Sequence, residues 1–509
     1  MRLVTAAEMR AIDRAAIDGG VPGLALMERA GEAVARAALA LRGPGGRVLA
    51  LCGGGNNGGD GYVAARRLVD AGMFVRAVAI APPEGLRGDA RAALEAAMRA
   101  GVAVGGAAEL HDLRAGPGDV VLDALLGTGL GRAASGVHAA AIARMAELRA
   151  AGAKVLAIDL PSGLSADSGQ PLGPCVQADR TITFAFMKRG LILHPGAELA
   201  GPVEVADIGI PPGAAAAVPT SCELLAEDEA RALVPSRPPE AHKGDAGRVL
   251  VVAGSAGKTG AAHLALTGAL RGGAGLVTLA ARAEVMPFAL SGRPEAMSVD
   301  LPGAGPLGVG DVEALVAAAH GMDAVVVGPG IPRGPETASA LRAFLERARV
   351  PAVVDADALN ALAEHGGHLA GLPAPVVITP HPGEMARLCR TTIAEVQRDR
   401  VAVAAEHARA WGCVVVLKGA RTVVAAPSGP PAIVPAGNPG LATGGTGDVL
   451  AGLTGALLGS HLPPFDAARA AAFAHALAGD LCAARLGQRG LLASDVADAL
   501  GAVWARWER

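Results

Sequence analysis

Aromatic side chains are nearly missing from this chain: 509 residues include seven Phe, three Trp and one Tyr. Gly (71) and Pro (35) are abundant instead, and such small residues permit tight turns and close helix-to-sheet packing. A cationic excess is missing too. Lys+Arg 45 against Asp+Glu 48 leaves a formal charge of -3, so no overall positive field is available to hold a nucleic acid backbone or an anionic membrane. Any phosphate binding has to be local. Cysteine is sparse: six, at positions 52, 175, 222, 389, 413 and 482, show neither metal-ligand spacing nor a compact disulfide framework, and read as reduced cytoplasmic thiols. No charge-free apolar run is long and uniform enough to argue for a membrane span. The opening MRLVTAAEMRAIDRAAIDGG lacks the apolar core of a secretion signal. A cytoplasmic protein that binds neither nucleic acid nor membrane is expected.

The length exceeds a single usual core and predicts two or more domains. Helices are expected near 5–18, where Thr5 and Glu8 have capping-box spacing, and near 24–41. Short apolar runs at 47–52, 75–81, 119–122, 155–160, 181–184 and 203–206 alternate with Ala-rich helical stretches, which reads as βαβ units with a mostly parallel sheet. Pro211, Pro212 and the small residues up to Val218 break the pattern, so domains 1–218 and 219–509 are expected. A second alternation follows, with strands near 249–253, 276–280, 324–327, 352–355, 376–379 and 414–417, and a helical end from Asp448. Both halves are therefore α/β.

Two glycine-rich, acid-containing signatures each follow a strand-like run: GGGNNGGDG at 53–61 and GNPGLATGGTGDVLAG at 437–452. Glycines at a strand-to-helix turn let backbone N–H groups approach a phosphate at the positive end of a helix. The first loop is not the ordinary dinucleotide fingerprint, because GxGxxG is met only by sliding the frame. Asn56, Asn57 and Asp60 add polar side chains to it. Asp123 and Asp159 end two further strands, and carboxylates at successive strand ends of a parallel sheet converge on its ligand-bearing edge; each alone has a helix cap as its alternative. Asn57, Asp123 and Ser162 suit either a large monovalent cation or a polar substrate, and without His or Cys they are a poor transition-metal set.

The segments GGGNNGGDGYVAARRL, DALLGTGLGR, IDLPSGLSADSG and VEVADIGIP resemble the NAD(P)HX epimerase domain, a Rossmann-like three-layer fold that interconverts the C6 epimers of hydrated NADH or NADPH (NADHX, NADPHX). The resemblance implies that Asn56, Asn57, Gly58, Gly59 and Asp60, with Gly127 and Gly129 of the GTGLG run, bind the substrate, and that Asn57, Asp123 and Ser162 surround a potassium ion. Asp159 is the acid/base candidate, with Asp123 as competitor, and Lys188 is placed near the substrate.

In the second signature, Gly445, Thr446 and Gly447 precede Asp448 at the start of a helix. Backbone donors there suit a transferred phosphoryl group, and Asp448 suits a base for a hydroxyl nucleophile or, alternatively, a helix cap. TPHPGEM supplies His381 and Glu384, and LKGARTVV supplies Lys418 and Gly419, suited to a nucleotide and its magnesium ion. His381 has a purely structural alternative and Lys418 a surface one. The run GSAGKT at 254–259 is too short for a P-loop. Together with Asn438 in GNPG, GALRGGAGLVTLA, the GPG at 328–330 and VVDADALNAL, these blocks resemble the ADP-dependent NAD(P)H-hydrate dehydratase, a ribokinase-like α/β family. Lys258 departs from the aromatic residue expected there. The resemblance implies that Asp448 activates the C6 hydroxyl for attack on ADP, that magnesium accompanies the ADP, and that the chain is a homo-oligomer. The competing reading is a small-alcohol or vitamin kinase fused to a nucleotide-sensing Rossmann-like domain.

Overall fold

The computed structural model describes residues 1–365 and 369–509. The chain divides into two compact units, Arg2–Cys222 and Glu223–Arg509 with Met1. A short helix, Pro212–Ala216, occupies the run read as a break.

In the first unit a parallel sheet runs in the order Ala103–Gly106, Val75–Ala79, Val48–Cys52, Val120–Ala124, Lys154–Ile158, Arg180–Phe184, Val203–Ala206. The chain builds outward from Val48–Cys52 in one direction, then returns to its other side at Val120–Ala124. That reversal opens a crevice beyond the strand ends, where ligands of open α/β sheets bind. Val48–Cys52 and Val120–Ala124 are buried along their whole length, as expected of strands covered on both faces. Helices Gly23–Leu41 and Asn56–Asp70 cover one face, and Gly136–Ala150 the other. The first helix, Ala6–Asp18, starts on the Thr5–Glu8 capping box read from the sequence. The sequence patterns passed over Ala103–Gly106, an edge strand with two glycines and no buried residue.

The second unit repeats the principle. Met297–Leu301, Leu276–Arg282, Arg248–Val252, Ala324–Val327, Ala352–Val354, Val376–Ile378 and Val414–Leu417 pair in parallel, and Val423–Ala425 and Ala432–Ile433 add an antiparallel extension. The order reverses between Arg248–Val252 and Ala324–Val327. The last three helices are Thr446–Gly459, Pro464–Leu486 and Ala493–Trp507.

Scarcity of aromatics acquires a structural meaning in the pair Thr446–Gly459 and Thr259–Arg271. A Cβ on Gly452 would stand 2.0 Å from the Ala265 carbonyl oxygen, and one on Gly268 would stand 2.3 Å from that of Val449. The two backbones touch through reciprocal glycines, which fixes the helix that carries Asp448. Gly452→Ala is therefore expected to cost about 1–3 kcal/mol through overpacking. In contrast, Gly501→Ala, in a helix interior with nothing within 4 Å of the new methyl, should be neutral or gain up to about 1 kcal/mol. Urea unfolding of the two variants side by side checks this; equal effects would refute the packing argument.

Candidate active sites

The crevice of the first unit is a cleft of about 690 Å³ lined by Gly54, Gly55, Asn56, Asn57 and Asp60, by Gly127 and Gly129, and by Asp159 and Lys188. Gly58 and Gly59 do not line it. A Cβ on Gly58 would stand 2.0 Å from the Gly53 carbonyl oxygen and one on Gly59 would stand 2.6 Å from Met27 Cε, so these two glycines serve packing behind the loop. Asp159 directly follows its strand with φ +67°, a left-handed conformation that costs a non-glycine residue energy. Its Oδ1 lies 2.6 Å from Lys188 Nζ and accepts from Thr183 Oγ1 at 3.1 Å. Lys188 is 1% exposed and also donates to the Phe184 carbonyl at 2.9 Å. Asp159 Oδ2 faces the opposite loop: a Cβ on Gly127 would be 3.4 Å from it and 3.4 Å from Asn57 Oδ1. Asp159, Asn57 and Gly127 thus meet at one point.

Asp123 is fully buried. Ser162 donates to it twice, N–H to Oδ2 at 2.7 Å and Oγ–H to Oδ1 at 2.5 Å, and Leu126 N–H donates to Ser162 Oγ at 2.9 Å. Burial pushes Asp123 up to about 6 against the pull of these bonds, and it has no basic partner among the described residues. Asn57 Nδ2 is buried without a hydrogen-bond partner among those residues. Asp13, on helix Ala6–Asp18, also lines the cleft; burial and the Asp159 charge, opposed by Lys188, raise it to about 6. Sequence reasoning missed it, although an acid beside Met9, Ile12 and Ala16, the buried positions of that helix, is the signal.

In the second unit Asp355, Thr379 and Lys418 each follow directly on a strand end. Lys418 Nζ lies 2.7 Å from Asp355 Oδ1 and 3.8 Å from Glu384 Oε2, so its surface alternative falls. Burial pulls the ammonium down, but Asp355 and Glu384 more than offset this and its pKa is raised. Asp355 Oδ2 and Thr379 Oγ1 are buried without partners among the described residues. Helix Thr446–Gly459 begins over this pair: Gly445 caps it at φ +92°, and a Cβ on Gly447 would be 3.4 Å from Lys418 Nζ and 3.8 Å from Asp355 Oδ2. The first-turn N–H groups have no intrahelical acceptors and present a positive end to the site. Asp448 stands in that turn. Burial, then the field of Asp355, push it up to about 7 against Lys418.

Other residues from the sequence reading hold this arrangement together. His381 Nδ1 accepts from Gly383 N at 2.9 Å while Glu384 Oε2 accepts from His381 N at 2.8 Å, a reciprocal cap on helix Pro382–Cys389. The Asn438 amide is spent on Gly440 N and Asp480 Oδ1. Gly419, at φ +146°, leaves room for the Arg400 guanidinium, which would be 2.8 Å from a Cβ there. Thr446 Oγ1 donates to the Leu441 carbonyl at 2.8 Å. His475, missed from sequence because it lies in an Ala-rich helix, meets the Thr446 carbonyl through Nε2 at 2.8 Å; burial lowers it to about 4, so it is a neutral donor. Lys258 pairs with Asp357 at 2.9 Å.

Two sequence families match the chain: one described as YjeF-related protein N-terminus over residues 23–190, and one described as NAD(P)H-hydrate dehydratase over residues 249–501. Among curated relatives, a bifunctional NAD(P)H-hydrate repair enzyme of Moorella thermoacetica is 45% identical, covering 98% of this chain and 96% of its own. The enzyme of the same description from Escherichia coli is 38% identical over 92% of this chain and 87% of its own. Among solved structures, a ribokinase-like superfamily protein of Enterococcus faecalis is 26% identical with a TM-score of 0.50, covering 56% of this chain and 96% of its own.

The Lys188–Asp159 contact yields a direct test. Lys188→Met leaves the Asp159 carboxylate enclosed without its cation, which is expected to destabilise the first unit by about 3–5 kcal/mol. Pulse proteolysis in urea measures it, and a loss below about 1 kcal/mol, the scale of an exposed pair, would contradict the buried-pair reading.

Proposed function

The chain belongs to the family of bifunctional NAD(P)H-hydrate repair enzymes, and from that premise we propose how its two sites divide the work. The first unit epimerises hydrated NADH and NADPH at C6. The second dehydrates the S epimer at the expense of ADP, giving NAD(P)H, AMP and phosphate. Spontaneous hydration gives both epimers, so the first activity feeds the second.

One observation carries the dehydratase assignment. Asp448, raised to about 7, stands in the first turn of a helix whose free N–H groups lie over the Lys418–Asp355 pair. A base poised near neutrality takes the proton from the C6 hydroxyl. The hydroxyl oxygen attacks the β-phosphorus of ADP, AMP departs, and charge growing on the phosphoryl oxygens meets the helix N–H groups and Lys418. The C6 phosphate then leaves with the electrons of its C–O bond as the ring nitrogen donates its pair, and loss of a C5 proton restores the double bond. Without phosphorylation the leaving group would be hydroxide. Glu384, His381, Gly419 and Asn438 act here by fixing the loops that hold ADP.

In the first unit, Asn56 and Asn57 with Gly127 and Gly129 hold the substrate, and Asp159 exchanges protons with it. Asn57, Asp123 and Ser162 fit a potassium ion: all three offer oxygen, and Asp123 is a buried carboxylate that lacks a cationic partner among the described residues. Such an ion would offset that charge. For magnesium, no cluster of three His, Cys, Asp or Glu side chains stands ready among the described residues, but Asp355 Oδ2 is unpartnered. This suits an ion that keeps its waters and arrives with nucleotide phosphates. Glu384 is occupied by Lys418 and the His381 N–H, which leaves Asp355 the better ligand.

The setting we propose is the cytoplasm, supported by six free cysteines; no helix among the described residues is long and apolar enough to cross a membrane. Exposed apolar side chains such as Phe74 and Phe288 support a homo-oligomer.

Incubation with mixed R- and S-NADHX and ADP should consume both epimers; survival of R alone would remove the epimerase reading, and absence of ADP-dependent NADH recovery the dehydratase reading. The dehydratase rate should rise with pH through about 7 as Asp448 ionises. Lys418 holds Asp448 down, so Lys418→Met should move this limb to higher pH, whereas Asp448→Asn should lose about 10²–10⁴-fold in rate and show no limb. An unmoved limb in Lys418→Met would exclude Asp448 as its source.

A further inference from the structure

We propose that Asp60 is the general acid of the first unit's site, working against Asp159 as its ionised base. This rests on the epimerase reading. Asp60 belongs to the same GGGNNGGDG run as Gly54 and Gly55, which line the cleft, but the fold gives it a different environment. It stands in helix Asn56–Asp70 beyond the loop, is 8% exposed, and lines the cleft. Its carboxyl has no hydrogen-bond partner among the described residues. A carboxyl there would repel a phosphate, so the cradle is left to the loop before it.

The charge balance around Asp60 decides its protonation. Asp13, Asp60, Asp89 and Asp159 share the cleft with one buried ammonium, Lys188, while Arg10, Arg132 and His138 also line it. Lys188 is committed to Asp159, which also accepts from Thr183, so Asp159 has what an ionised carboxylate needs. Asp60 has none of this. Burial first, then the charges of Asp159 and Asp13, push it well above the usual carboxylate range. A carboxyl without a partner and one held against an ammonium can serve as acid and base in one enclosure.

The chemistry of a C6 epimer needs both. Asp159 accepts the C6 hydroxyl proton as the C6–N1 bond breaks, leaving a carbonyl at C6. The bonding pair goes to N1, which takes the Asp60 proton. Rotation about C5–C6 presents the other carbonyl face, N1 adds back while returning its proton to Asp60, and Asp159 returns the other proton to oxygen. Both carboxyls end as they began, and no redox partner is required.

Asp60→Asn keeps the shape and a hydrogen-bond donor but has no acidic proton, and Asp60→Glu keeps the acid. Conversion of R-NADHX by the full chain is followed by separating the epimers, with dehydration of S-NADHX by the same chain as the internal reference. Asn is expected to lose about 10²–10⁴-fold in kcat with KM changed less than about threefold, and Glu to stay at least about tenfold faster than Asn. Asn turning over at the wild-type rate, or Asn and Glu losing equally, overturns the proposal while leaving wild-type epimerisation in place. A wild-type chain that leaves the R epimer untouched sinks the epimerase reading and the proposal with it.

Discussion

An enclosed ammonium held against a strand-end carboxylate organises each half of this protein. Lys188 meets Asp159 at 2.6 Å in the first unit, and Lys418 meets Asp355 at 2.7 Å in the second. Removing such ions from water costs several kcal/mol each, and only close contact with further hydrogen bonds offsets that. Thr183 and the Phe184 carbonyl supply those bonds in the first unit. Once the lysine is committed, Asp13, Asp60 and Asp448 have no direct ion pair among the described residues, and Glu384 meets Lys418 only at a longer distance of 3.8 Å. Asp13 and Asp60 in one unit, and Glu384 and Asp448 in the other, are accordingly raised, burial being the largest cause in each case. The groups available for proton transfer follow from where the two lysines are spent.

The scaffold holds these contacts by accepting local strain at the strand ends. Asp159, Ala185 and Ala356 are non-glycine residues with φ of +67°, +59° and +53°, and each lies within two residues of a strand that ends in its unit's site. Conformations of this kind cost about 1–3 kcal/mol each and persist where surrounding packing over-determines them. Parallel strands of Val, Leu and Ala with both faces covered supply that packing. Close approach matters as much: a Cβ on Gly328 would fall 2.0 Å from the Asp355 carbonyl oxygen, so glycine lets the neighbouring strand's loop cross the site. The abundance of glycine and the scarcity of aromatics are two sides of one packing solution.

How far this was legible in the sequence depended on whether the signal was periodic or three-dimensional. Strands such as Val48–Cys52 and Ala324–Val327 are continuous apolar runs followed by glycine, so their position and the loops after them could be read directly. Val423–Ala425 and Ala432–Ile433 are too short to carry a period and form because Val414–Leu417 offers an edge. At the sites, glycine motifs located the loops but not the division of labour within them. Gly54 and Gly55 line the cleft while Gly58 and Gly59 pack behind it, and nothing in GGGNNGGDG distinguishes them. Asp13 and His475 come from helices distant in sequence from any motif. Asn438 and His381 make capping bonds, a role that the sequence does not separate from ligation because both draw on the same polar residue types.

The opposite poise of the two sites follows from the reactions they serve. Epimerisation begins and ends on a C6 hydroxyl, so in the proposed scheme the site lends one proton and borrows another without net change. In the proposed epimerase site Lys188 is in contact with Asp159 and acts on Asp60 only at a distance. Phosphoryl transfer to the same hydroxyl is directional, and its base must first be empty and then filled. There the lysine does not pair with the proposed base: Lys418 pairs with Asp355 and acts on Asp448 only at a distance, and Asp448 is raised to about 7 by burial and by the Asp355 charge. The two units thus differ in where the cation is placed: directly on Asp159 in the first, and on Asp355 rather than Asp448 in the second.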